Sequence, residues 1–195
     1  GAGPRGGLAG GAPAVQLNVG PMRPVRLRPV HLRSVQERDL RALAALYAAA
    51  ARTLGPAVYT PRQVQAWAAF ADDGAAFRDY VLQPDTWVAL AGGEGDDDGG
   101  APVGFSGWQP IAGTPDGEIR SLYVRPDLGR RGVGTQLLAA SIARARQAGA
   151  AALWAWVTPL SRPLFERAGF VLVQTVHEDF AGVPFERYRV RRPAG

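Results

Sequence analysis

The sequence of 195 residues contains no cysteine, two histidines (His31 and His177) and one methionine. Without cysteine there is no disulfide, no thiolate metal site and no thiol nucleophile, and two isolated histidines argue against a histidine-rich centre, so no metal is expected. No run approaches the ~20 apolar residues that cross a bilayer. The N-terminus also lacks an apolar core behind a basic flank. These absences lead us to expect a cytoplasmic protein with no membrane partner. A basic block interleaved with stacking aromatics is missing too. The formal net charge is +5, but its arginines are spread along the chain, so nucleic acid is not an expected partner.

What is present suits one domain. Hydrophobic residues make up 47% of the chain, enough for a full core in a chain of this length. Residues 1–24 are Gly, Ala and Pro without periodicity, too poor in large apolar side chains to offset the entropy of ordering, and are expected to be a disordered tail. The only methionine, Met22, lies at its end. Residues 25–195 form the expected domain.

Alternation around residues 30–35 predicts a first strand, and residues 39–53 predict a helix with Leu40, Leu43, Leu46 and Tyr47 on one side. Thr60 and Gln63 have capping-box spacing with Pro61 at the first helical position, so a second helix follows, carrying Val64, Trp67, Ala68 and Phe70. Trp67 and Phe70 read as core in preference to the wall of a binding site. A short helix is expected at 74–82, then strands at 86–91 and 101–108. Between those strands lies a solvated hairpin loop whose acidic centre, 94–98, lacks the closing glutamate of a calcium loop. After a long helix from Gly134, residues 152–158 predict a strand with Leu153, Ala155 and Val157 on one face and Trp154 and Trp156 on the other. A short helix stopped by Gly169 and an antiparallel pair, 170–177 and 184–191, close the chain.

The chain is organised around residues 118–135. A strand over 118–124 is bounded by Gly117 and Pro126, and from Gly134 the residues Leu137, Leu138, Ile142 and Ala145 recur at helical spacing. The glycines Gly129, Gly132 and Gly134 therefore sit where strand passes to helix. There the first helical amides lack partners and the peptide dipoles add partial positive charge, so a phosphate is favoured, with Arg130 and Arg131 adding full charges. Two phosphate motifs fail. Thr135 stands where the Walker A lysine should be, and Leu137 stands at the third glycine of a dinucleotide fingerprint.

This stretch resembles motif A of the GCN5-related N-acetyltransferase (GNAT) superfamily, a strand ending in Val followed by Gln/Arg-x-x-Gly-x-Gly/Ala and a helix. Here it reads Leu122-Tyr123-Val124, then Gly129-Arg130-Arg131-Gly132-Val133-Gly134-Thr135. Residues 158–170 are similar to the superfamily's second signature, with Thr158 at its Asn, Ser161 at its Ala and Phe165 at its Tyr. The resemblance covers residues 30–191, and residues 59–67 and 161–170 look like a bacterial subgroup whose substrates are mostly unassigned. It implies an α/β fold, a central and mostly antiparallel mixed sheet flanked by helices.

The resemblance also implies acetyl-CoA as co-substrate and an amine as acceptor. By it, the main chain of Leu122, Tyr123 and Val124 meets the pantetheine arm, and the Val124 amide faces the thioester carbonyl. The amides of Arg130, Arg131, Gly132, Val133, Gly134 and Thr135 hold the diphosphate, and Phe165 adjoins the cofactor. Glu118, counted by alternation onto the face of Arg120, Leu122 and Val124, is a candidate general base or else the ion-pair partner of an arginine. The alternative base position is Arg120, which accepts no proton. Phe165 cannot protonate the departing thiolate; solvent can, since a thiolate is a fair leaving group, and Ser161 and Thr158 are the other candidate acids, although Ser161 has the chemistry of a helix cap as well. The expected activity is acetyl transfer to a primary amine by direct attack in a ternary complex. Its rival, motivated by Phe165 and Arg120, is a non-catalytic acyl-CoA-binding module. Residues 185–191 are expected to be an exposed edge strand, a surface for a homodimer unless Arg187, Arg189 and Arg191 protect it.

Overall fold

A computed structural model describes residues 30–91 and 100–194. The tail expected at 1–24 and the acidic loop centre at 94–98 lie outside the described residues. The elements run β1 (His31–Ser34), α1 (Leu40–Leu54), α2 (Pro61–Ala69), α3 (Gly74–Val81), β2 (Thr86–Ala91), β3 (Ala101–Pro110), β4 (Gly117–Val124), α4 (Val133–Gln147), β5 (Ala152–Val157), α5 (Arg162–Arg167), β6 (Val171–Phe180) and β7 (Val183–Pro193). The architecture is the mixed α/β sheet expected from the sequence.

Local chemistry sets the helix starts. At α2 the Gln63 amide donates to Thr60 Oγ1 at 3.3 Å, the Thr60 amide donates to Gln63 Oε1 at 2.9 Å, and Pro61 follows the cap. Ahead of α1, Asp39 accepts from both Arg33 terminal nitrogens, at 2.7 and 2.8 Å, and from the Gln36 amide at 2.8 Å. That buried pair ties the first strand to the first helix.

The seven strands lie in the order β1-β2-β3-β4-β5-β7-β6, antiparallel throughout except for β4 against β5. One face packs on α4, whose Leu138, Ile142 and Ala145 meet Ile119, Leu153, Ala155 and Val157. The other face meets α1 and α3, where Leu43, Leu46, Tyr47, Phe77 and Val81 join Val88, Leu90 and Phe105. Within the first layer, Ser106 Oγ reaches Ser141 Oγ and donates to the Ser121 carbonyl, both at 2.9 Å, so the buried hydroxyls that join β3 to α4 are satisfied.

Two expectations are corrected here. Residues 185–191 are not an edge: β7 lies between β5 and β6, because the last hairpin folds its second strand inward, and β6 is the outer strand. Any homodimer built on a sheet edge at this end would have to use β6. That strand carries a bulge at Val173, since its pairing passes from Leu172–Val190 to Gln174–Arg189, and such a kink discourages edge-to-edge addition. The second correction concerns β4. Its pairing passes from Gly107–Ser121 to Trp108–Ile119, leaving Arg120 as the extra residue of a second bulge. Alternation resets there. Ile119, Leu122 and Val124 face α4, Tyr123 faces α1, and Glu118 lies opposite Val124 rather than beside it, paired with Arg189 above Trp154 and Trp156.

Candidate active site

Past the bulge, β4 and β5 part. They pair only through Gly117–Leu153, Glu118–Trp154 and Ile119–Ala155, and beyond these the strands leave a slit of about 270 Å³. The edge of β4 lining that slit is chemically unfinished. The Arg125 amide donates to Val103 in β3 at 2.8 Å, so in an antiparallel ladder Tyr123 also turns its main chain to β3, while Leu122 and Val124 turn theirs to the slit. The Tyr123 carbonyl agrees, lying 2.8 Å from where a Cβ on Gly104 would stand. Of the three residues read as main-chain contacts, two present backbone to the slit. Tyr123 presents its ring.

At the mouth, the first amide bonded into α4 is that of Gln136, to the Gly132 carbonyl at 3.0 Å. The amides of residues 130–135 make no hydrogen bond among the described residues, and Arg130 (φ 62°) and Gly132 (φ 87°) both adopt left-handed backbone that curls them into a concave turn. Arg130, Arg131 and Gly132 are exposed. A row of unpaired amides at a helix N-terminus, continuous with an unpaired strand edge, fits a long diphosphate ester whose amide-bearing arm lies along β4.

The walls are aromatic on one side. Trp67, Tyr80, Tyr123 and Trp156 line the slit, and Tyr47 packs 4.5 Å from Tyr123, centre to centre. Trp67, read from the sequence as core, is both half-buried packing and wall. Phe70 belongs to the packing alone. Burial pushes the Tyr80 and Tyr123 hydroxyls up and that of Tyr59 up to about 12, so all three remain protonated at neutral pH and none is a base there, while Tyr80 donates to the Arg120 carbonyl. Phe165 is buried against Phe170 at 5.1 Å and forms the slit's apolar end. Ser161 does not cap α5. Its Oγ accepts from the Thr158 amide at 3.1 Å and lies 3.3 Å from Thr158 Oγ1, and both hydroxyl residues line the slit.

Glu118 sits at the closed base of the slit rather than on its lining. Arg189 bonds one carboxylate oxygen and Gln109 donates weakly to the other at 3.4 Å. Among the described residues no carboxylate lines the slit, whereas Arg120, Arg125 and Arg187 do. Sequence reading missed Tyr80, Trp156 and Arg187 as wall residues; the only local signal was the tryptophan face of the strand at 152–158. Among the described residues no group of three or more His, Cys, Asp or Glu is placed to hold a metal, and no helix is long and apolar enough to cross a membrane.

Residues 45–170 match the family described as Acetyltransferase (GNAT) family. An uncharacterized N-acetyltransferase of Escherichia coli (strain K12), YafP, is 26% identical over 159 residues, spanning 82% of this chain and 93% of that protein. A crystal structure from Rhodopseudomonas palustris, titled a GCN5-related N-acetyltransferase: Aminotransferase, Class-II, superposes with a TM-score of 0.74 at 28% identity, over 86% of this chain and 97% of that one. The PaiA N-acetyltransferase of Thermoplasma acidophilum, solved in complex with coenzyme A, shares the fold with a TM-score of 0.66 at 15% identity, over 85% and 99% of the two chains.

Proposed function

The chain belongs to the GNAT acetyltransferase family, and on that premise we propose that it transfers the acetyl group of acetyl-CoA to a primary amine by direct attack in a ternary complex. The observation that carries this reading is the unfinished edge of β4 running into the unpaired amides of residues 130–135. Together they offer one continuous main-chain surface, with the dipole of α4 at the phosphate end.

In this reading the amides of Arg130, Arg131, Gly132, Val133, Gly134 and Thr135 hold the diphosphate, and Leu122 and Val124 pair with the pantetheine arm. The Val124 amide donates to the thioester oxygen as negative charge develops on it, and Phe165 closes the apolar end. The amine enters from the aromatic side, its nitrogen bonds the acyl carbon, and the carbon–sulfur bond breaks to release a thiolate. Glu118, the single carboxylate of β4, takes the amine's proton by way of water. The hydroxyls of Ser161 and Thr158 donate toward the departing sulfur in place of the phenol that Phe165 lacks.

Thiol release over a panel of primary amines tests the proposal, with acetyl-CoA binding followed by calorimetry. Amine-dependent thiol release is expected. Glu118→Gln should lower kcat by about tenfold or more while leaving acetyl-CoA affinity unchanged, within the 10²–10⁴-fold range usual for a proton carrier or below it because water intervenes. Wild-type kinetics in that variant would remove Glu118 from the mechanism. The second reading, a non-catalytic acyl-CoA-binding module, is favoured by one observation, the lack of a carboxylate among the described residues of the slit lining. Tight acetyl-CoA binding without turnover of any amine would establish it.

A further inference from the structure

Arg120 belongs to neither the main-chain cradle nor the core. As the bulge residue of β4 it leaves the ladder, and one tyrosine clamps it twice: the Tyr80 hydroxyl donates to the Arg120 carbonyl at 3.0 Å, and the Arg120 guanidinium lies 5.2 Å from the Tyr80 ring centre. Among the described residues no carboxylate pairs with it. Arg187 reaches the same slit from β7, its guanidinium 5.4 Å from the Trp156 ring centre, with a single ion pair to half-exposed Glu178 at 2.9 Å. The third arginine of the lining, Arg125, is already engaged by Asp127 through two bonds of 2.7 and 3.0 Å.

The chain contains no lysine, so these are guanidinium charges that no accessible pH removes. Arg120 without a carboxylate partner, and Arg187 shared only with half-exposed Glu178, stand on the aromatic side of a slit with no acid among its described lining residues, a setting that repels a bare ammonium and attracts an oxyanion. From this geometry we infer that the acceptor is a primary amine carrying its own oxyanion, of carboxylate or phosphonate type, which Arg120 binds in forked fashion with Arg187 as second ligand. Trp67, Tyr80 and Trp156 flank the body of such a molecule. The inference rests on the acetyl-transfer reading and deepens it, because the same charges favour the neutral form of the bound amine, the form that attacks.

The test uses matched acceptors: α-amino acids against their amides and their decarboxylated amines, aminoalkylphosphonates, and polyamines, each with acetyl-CoA and thiol release as readout. The expected result is kcat/KM at least about tenfold higher for the oxyanion-bearing member of each pair, the loss of one charge-assisted contact. Arg120→Gln should erase most of that preference through KM, with the coenzyme A dissociation constant unchanged. Should Arg120→Gln fail to fold by circular dichroism, Arg187→Gln must narrow the same preference, and an unchanged preference there overturns the inference. Equal or better turnover of amides, decarboxylated amines or polyamines also overturns it while leaving acetyl transfer intact. If no amine is turned over, tryptophan fluorescence with coenzyme A present decides. A saturable change with the amino acids and not their amides, lost in the arginine variants, supports the anion site although acetyl transfer has failed, and no change overturns it.

Discussion

Gly134 lies in the first turn of α4, packed against Val124 of β4 and Leu164 of α5. A Cβ there would stand 3.3 Å from Leu164 Cδ2 and 3.5 Å from Val124 Cγ2, so alanine fits with a small shift of the flexible leucine tip. Valine adds two methyl groups in a space bounded by both neighbours. Overpacking of this kind costs about 1 to 3 kcal/mol, and the cheapest relief is to lift the N-terminus of α4 away from the strand. That movement separates the amides of residues 130–135 from the edge of β4. Losing one amide-to-phosphate contact of about 1.5 to 3 kcal/mol corresponds to a tenfold or greater rise in the acetyl-CoA dissociation constant. Calorimetric titration of Gly134→Val should show that rise, with Gly134→Ala intermediate and Arg131→Gln weaker still, because the contact is made by main chain and the Arg131 side chain is exposed. Unchanged affinity in a folded Gly134→Val protein would refute the placement of the diphosphate at this turn.

Other variants read other parts of the molecule. Asp39→Asn breaks an ion pair whose carboxylate is 3% exposed, and urea denaturation should register a loss of about 3 to 5 kcal/mol. Burial pushes the Asp39 carboxyl up, but the hydrogen bonds from Arg33 and the Gln36 amide with the nearby arginine charges carry it below its ordinary value. Its contribution is therefore whole above about pH 4 and is lost as pH falls through the lower folded value, so stability measured across that window should fall less steeply in Asp39→Asn than in wild type. Tyr80→Phe removes the donor to the Arg120 carbonyl, and should cost about 1 kcal/mol in denaturation and raise acceptor KM more than the acetyl-CoA dissociation constant.

Features set by neighbouring residues were legible in the sequence. The strand at 86–91 and the capping box of Thr60 and Gln63 stand where local pattern placed them, and the division of 152–157 into an aliphatic and a tryptophan face holds because a strand's alternation is local. The bulge at Arg120 was not legible. A bulge is a mismatch between two strands, so counting along one of them put Glu118 on the Val124 face when the ladder with β3 resets it. The place of β7 is nonlocal in the same way, since nothing within 185–191 records that it inserts beside β5. Trp67 was read as core because a large aromatic on a helical stripe has the same pattern whether it fills an interior or walls a cleft.

Three paired positions hold β4 to β5, and they form the seam between an amino-terminal four-stranded half and a carboxy-terminal three-stranded one. A guest lying along the free edge of β4 would lengthen that seam, supplying hydrogen bonds the protein leaves unmade. Binding and resistance to heat should therefore rise together, by about 2.7 kcal/mol at a ligand concentration one hundred times its dissociation constant. Amide hydrogens of residues 152–157 should exchange more slowly once the gap is filled, while those of β2 and β3 remain as they were.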